Sequence, residues 1–138
     1  MSAESNKALV RRFVEDFQSR HNLAAVDENM APDFIDHNAP PGLPADRQGV
    51  KLQFSMLFEA FPDLHAIIHD QVADEDKVVT RKTLRGTQRG EFMGIPPSGK
   101  TVEFSVIDIL QIKDGKITDH WNVVDLVGLL QQLGAIPA

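Results

Sequence analysis

With 138 residues, a formal net charge of −6 and no cysteine, the chain already excludes several classes of function. The negative charge disfavours nucleic acid as the main partner, because phosphate binding needs a basic surface. The absence of cysteine excludes thiol nucleophiles, disulfides and cysteine-ligated zinc. No run approaches the roughly 18 apolar residues of a membrane span, and the N-terminus lacks an apolar signal region. We therefore expect one domain over residues 1–138, located in the cytoplasm, with neither a nucleic-acid nor a membrane partner.

The N-terminal part of the chain has the period of amphipathic helices. Residues 4–20 place apolar side chains, Phe17 among them, at three- and four-residue spacing, which predicts a helix. Residues 22–30 predict a second, short helix. That helix ends at Ala31, because the residue before a proline disfavours helical backbone.

A proline-rich loop separates these helices from a third one. Residues 39–44, which follow Phe34 and His37, contain three prolines and a glycine, so we expect a stiff loop at the mouth of a pocket. Asp46 predicts the N-cap of a helix that runs to about Phe61. The buried stripe of this helix is expected to contain Val50, Phe54, Leu57, Phe58 and Phe61.

The second half of the chain changes to the two-residue period of strands. Long strands are predicted at residues 64–73, 77–89, 101–113 and 116–124, and a short helix at 126–133. Asp114-Gly115 is a strong hairpin signal between the last two strands. In the first strand, one face is predicted to contain Leu64, Ala66, Ile68 and Val72. Helices segregated from strands predict an α+β fold, with N-terminal helices packed in a strongly curved, mainly antiparallel sheet of four to six strands, a cone with an internal cavity.

Asp108 interrupts the apolar face of the third predicted strand. The other residues of that face are Val102, Phe104, Val106, Leu110 and Ile112. A buried carboxylate needs a partner or becomes protonated, and a carboxyl group of that kind suits a general base near neutral pH. The alternative is a structural aspartate that a backbone N–H or an arginine satisfies, or one that faces water at the pocket rim.

The stretch Ile117–Asp125 contains the only tryptophan and an unusual number of polar groups for a strand. If the face with His120 and Asn122 points inward, these residues cluster with Asp108 across the hairpin as an acid–base and oxyanion-binding set. If the other face, which includes Ile117 and Trp121, points inward, Trp121 is part of the core. In that case His120 lies on the surface or in a dimer interface.

Other polar residues are weaker candidates. His37 is either a site residue or a capping group at the loop edge. The basic residues Arg81, Lys82, Arg85 and Arg89 predict a solvated or partner-facing surface, although Arg81 could reach an acidic ligand group if it faces inward. His65 and His69 have no third ligand at suitable spacing, so no metal site is predicted.

Several segments together resemble one known family. They are Asp36-His37-Asn38, the stretch 84–100 with its Gly-Ile-Pro-Pro-Ser-Gly-Lys loop, the stretch 114–121 that ends in His120-Trp121, and the stretch 129–134. They resemble the SnoaL-like polyketide cyclase (ester cyclase) family, of the nuclear-transport-factor-like, ketosteroid-isomerase-like superfamily. The resemblance implies a curved sheet around a deep apolar cavity, and commonly a homodimer packed through the sheet.

The resemblance also implies a reaction. Cyclase members close a polyketide ring by intramolecular aldol condensation without metal or cofactor, and a carboxylate removes the proton. The residue after His-Trp is typically an aspartate in those members, whereas here it is Asn122, and an amide cannot take up a proton at useful pH. Gln88 similarly stands where relatives commonly have histidine.

Three hypotheses follow: two are catalytic and one is not. The first is a cofactor-free cyclase or isomerase acting on a hydrophobic, carbonyl-bearing small molecule. Its base would be Asp108, or His120 oriented by Asp108, while Asn122 and His37 would hydrogen-bond the enolate oxygen. The second is a non-catalytic binder or dimeric scaffold of the same fold, and a third is a hydroxylase-like or hydrolase relative. In each case the ligand-binding wall is expected to include Phe17, Phe34, Phe54, Phe58, Arg81, Phe104 and Trp121.

Overall fold

The computed structural model describes residues 2–138. Its elements in chain order are α1 (Ala3–Val14), a π-helical turn (Glu15–Ser19), α2 (Ala24–Asn29), β1 (Met30–Asp36), α3 (Arg47–Ala60), β2 (His65–Asp74), β3 (Lys77–Thr87), β4 (Thr101–Lys113), β5 (Lys116–Val124) and α4 (Leu126–Gln132). The strands form one sheet in the order β1-β5-β4-β3-β2. Among the strands of residues 2–138, only β1 and β5 pair in parallel. The predicted α+β fold with a curved, mainly antiparallel sheet is confirmed.

Strand β1 was not predicted from the sequence. It is short, and Pro32 lies inside it. Proline is tolerated at a sheet edge, where its missing N–H breaks no inner ladder, and β1 is the edge strand next to β5. This parallel pairing places Asp36 beside His120.

A β-bulge in strand β5 decides which side chains face inward. The register with β4 slips between Gln111 and Ile112, so that Ile117 and His120 both lie on the concave side although their numbers differ in parity. Ile117 is fully buried, whereas Trp121 points to the convex side. The grouping of Ile117 with Trp121 was therefore wrong, because an extra residue reverses the alternation at this point.

A second bulge, between Ile68 and Asp70, has the same effect in β2. Val72 is 64% exposed, while Ala66, Ile68 and Ala73 pack against the core. The prediction that Val72 shares the inner face with Ala66 is therefore wrong for the same geometric reason.

The helices fill the concave side of the sheet. The core residues of α1 and the π-helical turn, such as Phe13 and Phe17, pack with Leu110 and Ile117 of the sheet. Asp46 caps α3 as predicted, since its carboxylate accepts a hydrogen bond from the Gly49 N–H at 3.0 Å. Across residues 2–138, none of the helices has the length and apolar character to cross a membrane.

Candidate active site

A cavity of about 790 Å³ lies between the helices and the sheet. Its helix wall is formed by Phe13, Val14, Phe17, Gln18, Val50, Gln53, Phe54 and Leu57. Its sheet wall is formed by Lys82, Leu84, Phe104, Val106, Asp108, Leu110, His120 and Asn122. Pro40, Pro41 and Leu43 line it as well, and the exposed Met93 also borders it, which marks the mouth. A largely apolar cavity with a few inward polar groups is the usual form of a small-molecule site.

His120 and Asp36 form a hydrogen-bonded pair at the sheet wall. Nδ1 of His120 donates to Oδ1 of Asp36 at 2.9 Å, and the Asp36 side chain is only 5% exposed. Asp36 also accepts the backbone N–H of Asn38 at 3.0 Å. Burial raises the pKa of Asp36, but the hydrogen bond and charge of His120 and the Asn38 N–H outweigh it, so the pKa of this carboxyl lies below its ordinary value.

This pair leaves the second ring nitrogen of His120 available. When the ring is neutral and Nδ1 donates to Asp36, Nε2 is the nitrogen with the free lone pair, and His120 lines the cavity. Nε2 has no hydrogen-bond partner within residues 2–138. A histidine that a carboxylate holds in one tautomer can accept a proton from a bound molecule.

Asp108 lies on the sheet wall, as its strand period predicted, and its partner is Lys82. Nζ of Lys82 donates to Oδ2 of Asp108 at 2.6 Å, and the two side chains are 2% and 5% exposed. The second carboxylate oxygen, Oδ1, is buried without a hydrogen-bond partner in the part of the chain described. A buried ion pair is stable when further hydrogen bonds satisfy its remaining polar atoms. Oδ1 of Asp108 lacks such a bond, so a ligand with a donor group could supply it.

Lys82 is the site residue that the sequence analysis placed wrongly. It was grouped with Arg81, Arg85 and Arg89 as a solvated basic surface, but it points inward. The signal that could have found it is the alternation that begins at Val78, since Val78, Thr80, Lys82 and Leu84 are all buried. Arg81 and Arg85 alternate with it and face outward.

Asn122 lies directly opposite Asp108 across the β4–β5 pair and lines the cavity. Its backbone N–H donates to Oδ1 of Asn38 at 2.9 Å, which ties β5 to the segment after β1. Asp108, His120 and Asn122 are thus brought together, as predicted, and Asp36 joins them.

His37 and Trp121 lie outside the cavity, on the convex face. Their rings stack with centroids 4.5 Å apart, and Nε2 of His37 lies 2.9 Å from Oδ2 of Asp119. That hydrogen bond holds the pKa of Asp119 below its ordinary value. The expectation that His37 reaches an enolate oxygen and that Trp121 lines the pocket is therefore corrected: strand alternation in β5 directs Trp121 away from His120.

Two further residues expected in the binding wall lie elsewhere. Arg81 is more than half exposed and pairs with Asp70, its NH2 group 3.0 Å from Oδ2, on the convex face. Phe58 is not among the residues that line the cavity, and its ring stacks on His21 with the centroids 3.9 Å apart. The remaining aromatic residues expected there do line the cavity, namely Phe17, Phe34, Phe54 and Phe104.

Gln88 is buried and organises the loop after β3. Its carboxamide oxygen accepts from the N–H and hydroxyl of Ser98 at 3.1 and 2.6 Å, and its amide donates to the Ile95 carbonyl at 3.0 Å. The residue thus holds the Gly-Ile-Pro-Pro-Ser-Gly loop together, and it is not among the cavity-lining residues.

Comparisons with known proteins show the same fold in other chains. TsrD from Streptomyces laurentii matches with a TM-score of 0.88 and 30% identity over 99% of both chains. AclR from Streptomyces galilaeus, a proposed hydroxylase, matches with a TM-score of 0.87 and 32% identity, covering 99% of this chain and 85% of its own.

Sequence relatives lead to the same family. Aklanonic acid methyl ester cyclase DnrD from Streptomyces peucetius is 26% identical over 130 residues, which covers 91% of this chain and 88% of the cyclase. The profile of the SnoaL-like polyketide cyclases matches residues 8–133, nearly the whole chain. The chain therefore belongs to the SnoaL-like polyketide cyclase family.

Proposed function

We propose that this protein is a cofactor-free, cyclase-type enzyme that closes a ring by intramolecular aldol chemistry on a hydrophobic, carbonyl-bearing small molecule. The observation that carries the proposal is the His120–Asp36 pair, whose hydrogen bond of 2.9 Å leaves Nε2 of His120 free at the cavity wall. In this proposal His120 is the general base and Asp36 orients it.

This assignment replaces Asp108 as the base. The Asp108 carboxylate is held by Lys82, whose Nζ donates to Oδ2 at 2.6 Å. Asp108 is thus engaged in an ion pair, whereas Nε2 of His120 has no hydrogen-bond partner within residues 2–138. Asp36, and not Asp108, is within hydrogen-bond reach of His120 and has the orienting role.

The proposed reaction needs only groups of this chain. Nε2 of His120 removes the proton from a carbon beside a carbonyl, and the carbonyl oxygen becomes an enolate. Lys82 and the amide of Asn122 are donors on the same wall that can stabilise this charge in a largely apolar cavity. The enolate carbon then attacks a second carbonyl carbon of the same molecule, and the new alkoxide takes the proton back from the His120 imidazolium.

The second candidate is a non-catalytic binder. It is favoured by Asn122, because an amide stands at the position where the family typically has an aspartate. In that case the cavity binds its ligand with the same shape and polarity, and His120 contributes hydrogen bonding alone.

Turnover of aklanonic acid methyl ester and nogalonic acid methyl ester, followed by chromatography and mass spectrometry, separates the two candidates. These substrates are chosen because the curated relatives are named for them. We expect His120→Asn to reduce kcat by about 10²- to 10⁴-fold, the usual contribution of a general base. The control His69→Asn lies on an exposed part of β2 and should retain activity. Wild-type protein that binds either ester without converting it would support the binder.

We also propose a homodimer formed through the convex face of the sheet, as the family resemblance implies. The proposal is supported by exposed apolar side chains on this face, including Ile35, Ile107 and Val123, which are 47, 45 and 76% exposed. Light scattering after gel filtration should give the mass of a dimer for the wild type and of a monomer for Ile107→Asp/Val123→Asp. A monomeric wild type would contradict the dimer. A cytoplasmic location stays a prediction of the sequence.

A further inference from the structure

Gln18 is a polar residue in an otherwise apolar part of the helix wall. It lies in the π-helical turn, is 7% exposed and lines the cavity beside Phe13, Val14 and Phe17. Its carboxamide oxygen is buried and has no hydrogen-bond partner within residues 2–138. A buried acceptor without a partner costs stability, whereas an apolar side chain of the same size would not.

The position of Gln18 indicates what offsets the loss of stability that its unpaired oxygen causes. It follows Val14 by four residues, so it continues the apolar stripe of α1 where a leucine would fit. The turn that carries it is π-helical, a local widening that is frequent at functional sites. Structure alone gives no reason for an amide at this point, whereas contact with a ligand does.

A second open acceptor lies across the cavity. Within residues 2–138, the buried side-chain atoms without a partner are Oδ1 of Asn6, Oε1 of Gln18 and Oδ1 of Asp108. Gln18 and Asp108 belong to the helix wall and the sheet wall of one cavity, while Asn6 does not line it. Two open acceptors on facing walls are complementary to a ligand that carries hydrogen-bond donors, not only carbonyl oxygens.

We infer that Gln18 is a ligand-binding residue whose carboxamide oxygen accepts a hydrogen bond from a hydroxyl group of the bound molecule. This selects ligands with a hydroxyl group on the side that faces α1, and it discriminates against their methyl ethers, which lack the donor. The inference deepens the proposed function, since it concerns the same cavity, but it assigns binding and specificity and no catalytic step.

Two measurements on Gln18→Leu test it. Because leucine removes an unpaired polar atom, the melting temperature of the ligand-free variant should rise by a few degrees. The affinity for 2,6-dihydroxynaphthalene, measured by calorimetric titration, should fall about three- to tenfold, the worth of one hydrogen bond. The affinity for 2,6-dimethoxynaphthalene should not change.

Asn6→Leu is the matched control, since Asn6 has the same buried, unpaired oxygen away from the cavity. It should raise the melting temperature and leave both affinities unchanged. A lower melting temperature of Gln18→Leu would mean that Gln18 is structural, which overturns the inference. Wild-type protein that does not prefer the diol to its dimethyl ether, or binds neither, would overturn it as well.

The binding test of Gln18 can fail or succeed independently of the turnover test of the proposed function. His69→Asn, on an exposed part of β2 and outside the cavity lining, should bind the diol and convert the ester as the wild type does. Turnover of an ester by the wild type together with Gln18-dependent binding of the diol would support both proposals. Gln18-dependent binding in a wild type that converts no ester would support this inference and contradict only the cyclase.

Discussion

Nδ1 of His120 lies 2.9 Å from Oδ1 of Asp36, although 84 positions separate the two residues along the chain. The parallel pairing of β1 with β5 creates this contact, because Asp36 and His120 are register partners. The buried carboxylate holds one nitrogen of a ring that lines the cavity. The fold thus brings the proposed base and its proposed orienting group together from an edge strand and the strand next to it.

Asp36→Asn should reduce kcat by about 10²-fold or more, because the amide no longer selects the productive tautomer of His120. Circular dichroism should show an unchanged fold. Asp119→Asn is the matched control, since Asp119 makes the corresponding contact with His37 on the convex face. Equal turnover by Asp36→Asn and wild type would show that Asp36 does not orient a catalytic base.

The same pair predicts how stability depends on pH. The pKa of Asp36 is lower in the folded protein than its ordinary value of 3.8. Its contribution to the free energy of unfolding is therefore fully present above pH 3.8 and is lost as the pH falls through the folded pKa. Urea unfolding between pH 5 and pH 2 should show a smaller loss of stability for Asp36→Asn than for wild type. Parallel curves would contradict the assignment.

The buried Lys82–Asp108 pair should respond differently to single and double substitution. Asp108→Leu leaves an unpaired buried ammonium group and should lower the free energy of unfolding by about 3–5 kcal/mol. Lys82→Met/Asp108→Leu removes both charges and should recover most of that loss. Urea unfolding of the three proteins tests this, and a double variant no more stable than the single one would refute it. The double variant should convert the ester more slowly than wild type, because Lys82, one of the two proposed donors to the enolate, is gone.

Gln88→Ala should loosen the loop that Gln88 holds. Three hydrogen bonds to Ile95 and Ser98 are lost, which should lower the free energy of unfolding by about 1–3 kcal/mol. Limited proteolysis should cleave the variant faster within residues 90–100. Gln48→Ala, on an exposed part of α3, is the control. Unchanged proteolysis would show that other contacts hold the loop.

Alternation along single strands predicted part of the site from the sequence. The period of β4 placed Asp108 inward, and the Asp114-Gly115 hairpin placed residues 120–122 near it across the sheet, because both depend on local backbone geometry. The same rule applied from Val78 would also have placed Lys82 inward. Lys82 was assigned to the surface instead, because the arginines beside it usually contact solvent.

The rest depends on long-range or irregular geometry. The Asp36–His120 contact requires the parallel pairing of β1, a strand with a proline that has no clear strand pattern. The bulges in β2 and β5 reverse the alternation within a strand, and a simple period of two cannot show where that happens. His37 was misplaced because it is the neighbour of the inward-facing Asp36, and its ring lies against Trp121 on the opposite face.

Proton exchange on a substrate tests most directly whether His120 is the base. Aklanonic acid methyl ester incubated in D₂O with the protein should exchange its activated C–H for deuterium, and mass spectrometry measures this before and alongside ring closure. We expect exchange with wild type and none above background with His120→Asn. Exchange by His120→Asn at the wild-type rate would contradict it, because another group would then remove the proton.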